Sequence, residues 1–168
     1  MRIVFDSNVI VDAIKPNALF EAEAQELLRL ASINRIYGLV SANSLSDIFY
    51  VLRKGFGAEK SKAMIKRLTL MLDIIGIEPE DCSDALELDM NDFEDALIAV
   101  CAQKANADCI VSRDERFIKA KTSVEVITPA HLLARILMVD DFNEPMDEYG
   151  RFESGPDYGK PVKEVWEE

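Results

Sequence analysis

A chain of 168 residues, 49% of them apolar, is long enough for one domain with a proper core, short for two, and too apolar to be disordered. A formal charge of −12 argues against a basic nucleic-acid clamp, but ten acids and three bases fall within residues 140–168, which leaves −5 for residues 1–139 and keeps nucleic acid open as a partner. No window approaches the roughly 20 apolar residues of a membrane span, so a membrane role is not expected.

In chain order, Ile3-Val4-Phe5 reads as a short buried strand entered directly, with no signal segment before it. Residues 19–33 place Leu19, Phe20, Ala24, Leu27, Leu28 and Ala31 on one helical stripe. A second strand is expected at 36–43, with Asn43 or Ser44 as cap of the next helix and Gly55 and Gly57 at its end. An amphipathic helix at 58–73 precedes a short strand closed by Pro79, a short helix at 81–88 and a strong one at 93–106. Residues 108–114 form a fourth strand and 124–128 a fifth, after which Thr128-Pro129 opens a last helix.

Strands alternating with helices predict an α/β fold, a parallel sheet covered on both faces. The apolar period stops after Val139, and residues 140–168 read as an acidic extension containing Gly and Pro. Cys82, Cys101 and Cys109 have no metal-type spacing, and their odd number argues against a disulfide framework. They read as buried reduced thiols, which points to the cytoplasm.

In open α/β sheets ligands bind beyond the carboxyl ends of the strands. Asp6 follows the first strand and Asp114 the fourth, so two distant carboxylates are delivered to one edge. Asp47 and Asp95 each sit near the start of a helix, beside an apolar interior where an unpaired charge is costly. Four such acids repel one another, and a divalent cation is the usual way to keep them ionised. Oxygen-only ligands favour Mg²⁺ or Mn²⁺ over zinc. Each acid also has a plain alternative: Asp6 as a helix cap, Asp47 and Asp92 as helix-start acids, Asp114 as a turn residue.

The segments IVFDSNVIVDAI, SANSLSDIFYVLRK, DFEDALIAVCAQKANADCIVSRDERF and VEVITPAHLL resemble the successive motifs of PIN domains, including VapC-type toxins of toxin–antitoxin pairs. The resemblance runs in order from residue 1 to about 138, and its most specific part is D-A-L-I-A followed by a strand and S-R-D. It implies a three-layer α/β/α domain over 1–139, with a mostly parallel sheet of about five strands, and a metal-dependent endoribonuclease acting on RNA. The family's acids match Asp6, Asp95 and Asp114, with Asp47 where Glu is usual. These four are the implied catalytic and metal-binding residues for Mg²⁺ or Mn²⁺. Asn8 and Ser112 would hydrogen-bond the ligands, and Asp92 stands beside them. Arg53, Lys54, Arg113, Arg116 and Lys119 are candidates for the RNA backbone, against an ordinary solvated surface as the alternative. An antitoxin partner and a homodimer are further family expectations.

Rival readings are weaker. His131 is the only histidine and has no nucleophile motif beside it. No glycine-rich phosphate loop occurs, so no nucleotide cofactor is expected. A haloacid-dehalogenase-type phosphatase needs a second Asp where Asn8 stands. The stronger alternative is a PIN-like RNA- or protein-binding module with little turnover, regulated by the acidic tail.

Overall fold

Ile3, Val4 and Phe5 are fully buried, and their side chains alternate between two apolar clusters. Ile3 and Phe5 face one cluster and Val4 the other, so this strand is covered on both sides. A computed structural model places it at the centre of a sheet and describes residues 1–15 and 20–143.

The first half comprises β1 (Arg2–Phe5), α1 (Ser7–Ile14), α2 (Glu21–Ser32), β2 (Tyr37–Ser41), α3 (Ala42–Phe56), α4 (Ala58–Met71) and β3 (Asp73–Ile75). The second comprises α5 (Pro79–Glu87), α6 (Phe93–Lys104), β4 (Cys109–Val111), α7 (Glu115–Lys119), β5 (Val126–Ile127) and α8 (Pro129–Asn143). The five strands pair in parallel in the order β3-β2-β1-β4-β5. One apolar cluster joins the sheet to α1, α2, α3, α4 and α8, and the other joins its opposite face to α6 and α7. The expected α/β/α architecture is therefore present, with every strand pair parallel.

Strand order reverses beside β1, where β2 lies on one side and β4 on the other. Helices leaving β1 and β4 diverge at such a switch point, and a crevice opens beyond the two carboxyl ends. The register Phe5 opposite Val111 brings Asp6 and Ser112 level at that edge.

Some boundaries differ from expectation. α3 starts at Ala42 with Ser41 as its N-cap residue, ahead of Asn43 and Ser44. Ser44 is buried inside the helix, where its hydroxyl lies 2.7 Å from that of Ser41, so two buried polar groups satisfy each other. Gly55 remains helical, and Gly57, at φ +78°, ends the helix in the conformation glycine favours. The five-residue α7 was not expected, because one turn leaves no readable periodicity. The backbone of α8 continues to Asn143, so a boundary at 139/140 falls within a helix, while residues 144–168 of the acidic extension, and Leu19, lie outside the described residues.

Candidate active site

Asp6 occupies the N-cap position of α1, yet its carboxylate makes no capping bond. It is only 3% exposed and turns toward β4 instead. The Ser112 hydroxyl donates to it at 2.6 Å, the Asn8 carboxamide at 2.5 Å and the Ser7 hydroxyl at 3.3 Å. The Asp6 backbone N–H meanwhile donates to the Val111 carbonyl at 3.0 Å, which extends the β1–β4 pairing by one step. Burial pushes the Asp6 pKa up, and the hydrogen bonds from Ser112 and Ser7 oppose that rise.

Asn8 and Ser112 form one network beneath this carboxylate. Asn8 donates to Ser112 Oγ at 3.2 Å and accepts the Arg113 N–H at 3.2 Å. Ser112 Oγ also accepts the Asp114 N–H at 3.0 Å. Asp114 in turn caps α7, since its Oδ1 accepts the N–H of Arg116 at 2.7 Å and of Phe117 at 3.4 Å. Asp92 does the same for α6 through the N–H of Glu94 at 2.9 Å and of Asp95 at 3.4 Å. The plain reading of Asp92 as a helix-start acid thus matches its geometry.

Asp95 is pushed up to about 7, first by burial and then by the negative charges of Asp6, Asp92, Asp114 and Glu94. Acids from the ends of β1 and β4 and from the start of α6 therefore share one local field. Glu94, which the sequence reading passed over, is also pushed up to about 7 by burial and by Asp47, Asp6 and Asp92. Its Oε1 lies 3.5 Å from Ser7 Oγ. Asp47 is exposed on α3 and reaches the group from its Glu94 side. Residues 94 and 95 are only about 100° apart in a first turn, so both can face the strand ends, and an apolar interior beside Asp95 gives no local signal that singles out Glu94.

A cavity of about 380 Å³ adjoins the acids. Asp92, Asp95 and Asp114 lie on its lining, and so do Asn91, Arg116 and Lys119. Of the other basic candidates, Arg53, Lys54 and Arg113 lie off this lining. Lys54 Nζ sits 4.2 Å above the Tyr50 ring near the end of α3, and exposed Arg53 precedes it. Arg113 is ion-paired with Asp12, Nε 2.6 Å from Oδ2, and does not lie on the cavity lining. Lys119 also pairs with Glu115 at 2.9 Å.

The donor set is oxygen alone, which suits a hard divalent cation such as Mg²⁺ or Mn²⁺. As placed, no three His, Cys, Asp or Glu side chains among the described residues are gathered tightly enough to hold an ion, and the acids stand around the strand edge instead of meeting at one point. The fit is therefore one of ligand chemistry and charge.

The PIN domain family model matches residues 2–116, a span that contains Asp6, Asp47, Asp95 and Asp114. The chain belongs to the PIN domain family. Ribonuclease VapC1 of Aquifex aeolicus (strain VF5) is 28% identical over 141 residues, covering 80% of this chain and 94% of that protein. Among solved structures, VapBC2 from Rickettsia felis bound to a promoter DNA fragment superposes with a TM-score of 0.59 at 20% identity, covering 76% of this chain and 98% of that one. VapC20 of Mycobacterium tuberculosis, a toxin cleaving the sarcin-ricin loop, gives 0.56 at 16% identity, covering 68% and 92%. Asp47, where the resemblance leads one to expect Glu, lies on α3, and Glu94 lies in the first turn of α6.

Other expectations concern the rest of the molecule. Cys101 and Cys109 are buried free thiols, both pushed up to about 11 by burial. Thr128 Oγ1 accepts the backbone N–H of His131 at 3.2 Å at the start of α8, as the Thr128-Pro129 signal predicts. Among the described residues no helix is long and apolar enough to cross a membrane.

Proposed function

We propose that this PIN domain is a Mg²⁺- or Mn²⁺-dependent endoribonuclease and the toxin of a toxin–antitoxin pair. The observation that carries the reading is the edge beyond β1 and β4, where the Ser112 hydroxyl joins the Asp6 carboxylate to the Asp114 amide and Asp114 lines one cavity with Asp95, three acids from separate parts of the chain. The likeness to a ribonuclease VapC1 supports RNA as the substrate. The fold neighbours solved as VapBC pairs motivate an antitoxin partner. A homodimer and a cytoplasmic location belong to the same proposal.

Asp6, Asp95 and Asp114, with Asp47 beside Glu94, would hold the cation. When bound, it neutralises the acids and supplies Lewis acidity toward a phosphodiester and its attacking water. The chain's own residues do the rest. Ser112 and Asn8 fix the Asp6 carboxylate by direct hydrogen bonds. Arg116 and Lys119, on the lining of the cavity that Asp95 and Asp114 share, would take the backbone phosphate next to the scissile one. Arg53 and Lys54 would extend that contact along α3.

The experiment incubates the protein with mixed RNAs and Mn²⁺ or Mg²⁺, beside Asp6→Asn and Asp95→Asn. Metal-dependent cleavage that both substitutions abolish is expected. Cleavage surviving both substitutions would exclude this site. RNA retention without cleavage would instead favour the binding-module reading, which the loose spacing of the carboxylates and the short Asp47 also support. Comparing full-length protein with a chain ending at residue 143 tests whether the acidic extension regulates either activity.

A further inference from the structure

Asp12 is a charged residue only 7% exposed, in the second turn of α1 and six positions beyond Asp6. A carboxylate buried to this degree needs an opposite charge. Arg113 provides one, with its Nε 2.6 Å from Asp12 Oδ2. Arg113 stands in sequence between Ser112 and Asp114, the residue that hydrogen-bonds Asp6 and a candidate ligand. Its own N–H is held by Asn8 at 3.2 Å, and its guanidinium lies 5.9 Å from the centre of the Phe20 ring. The short turn from β4 into α7 is thereby gripped by its backbone from Asn8 and by its side chain from Asp12.

We propose that Asp12 is a positioning residue of the candidate active site, acting through Arg113 to hold the 112–114 turn and so the places of the Ser112 hydroxyl and the Asp114 carboxylate relative to Asp6. This deepens the nuclease reading and rests on it. Asp12 itself touches neither substrate nor metal. The ion pair also explains why one base of the S-R-D sequence points to the protein body while Arg116, three residues on, lines the cavity.

An ion pair that served stability alone would lower the melting temperature and leave the turnover of folded molecules unchanged. The test therefore reads both the turn and the chemistry, in Asp12→Asn and in Arg113→Gln. The second variant approaches the same contact from its half-exposed partner and carries the test if the first does not fold. Amide hydrogen exchange over residues 112–116 is measured by mass spectrometry, and kcat and KM for Mn²⁺-dependent RNA cleavage are measured well below the melting temperature. Expected are faster exchange in the turn and a kcat lowered by about 10- to 100-fold, with KM changed by no more than about twofold. The double variant should be no slower than the worse single one. Wild-type exchange over 112–116 in the folded variants, or unchanged kcat despite faster exchange, would overturn the proposal. An inactive wild type would remove the nuclease reading instead, and the exchange measurement would still decide whether Asp12 holds the turn.

Discussion

The Ser112 hydroxyl lies 2.6 Å from the Asp6 carboxylate, so the residue after β4 directly supports the residue after β1. The same oxygen accepts the Asp114 amide, and one side chain thus joins two candidate ligands. Ser112→Ala removes a hydrogen bond from a buried carboxylate and leaves an amide without its acceptor. Stability should fall by about 1–3 kcal/mol, and RNA cleavage by about 10- to 100-fold. Urea denaturation and a cleavage assay with saturating Mn²⁺ check the two figures separately.

Acidity offers a second test. Asp95 and Glu94 are both pushed up to about 7, from ordinary values of 3.8 and 4.5. A carboxyl group whose folded pKa is the higher one binds its proton more tightly in the folded chain. Its favourable contribution is complete below the unfolded value and is lost as pH rises through about 7. The metal-free protein should therefore melt at a lower temperature at pH 7.5 than at pH 5.5. Asp95→Asn should flatten that slope, and added Mn²⁺ should recover part of the loss at pH 7.5. Calorimetry in EDTA that showed equal melting temperatures at both pH values, for wild type and variant alike, would contradict the shared field.

Glu94 separates two explanations by the sign of one change. As a first-turn acid serving the helix dipole, it would stabilise α6, and Glu94→Gln would cost roughly 0.3–1 kcal/mol. As a member of a repelling group with Asp47 and Asp6, it destabilises the metal-free fold. The expected result at pH 7.5 is a rise in melting temperature of roughly 2–4 °C per kcal/mol relieved, together with a smaller stabilisation by Mn²⁺ than in wild type. A thermal melt with and without the ion reads both quantities.

Which parts were legible in the sequence follows from the range of each interaction. The layers could be read because Ile3-Val4-Phe5, the α6 core and Thr128-Pro129 are local signals of burial, period and capping. The strand-end rule then placed Asp6 and Asp114 on one edge. Asp12 and Arg113 were not legible as a pair, because 101 positions separate them and neither lies in a local pattern that predicts the other. Ser44 was misplaced as a cap because hydroxyl residues at 41 and 44 carry the same local signal. Only the sheet register shows which one stands where the strand ends.

Gly38 ties the fold to the site's frame in a way that one methyl group can test. It lies in β2, paired with Ile3 of β1, and is buried. A Cβ built there would collide with Leu72 Cδ2 and stand 3.2 Å from Ala31 Cβ and 3.3 Å from Phe5 Cε2. Leu72 and Phe5 belong to the packed cluster beneath α2 and α4, so a rotation of Leu72 alone does not relieve all three contacts. Overpacking of this kind costs typically about 1–3 kcal/mol. Gly38→Ala should lower stability by that amount, with cleavage by the folded fraction retained, because Asp6 and Ser112 are held through the β1–β4 pairing on the other side of the strand. Denaturation midpoints paired with cleavage rates at low temperature measure both. A stable Gly38→Ala protein would show that the cluster yields more easily than its burial implies, whereas a stability loss with cleavage abolished would show that strain in β2 passes through β1 to Asp6.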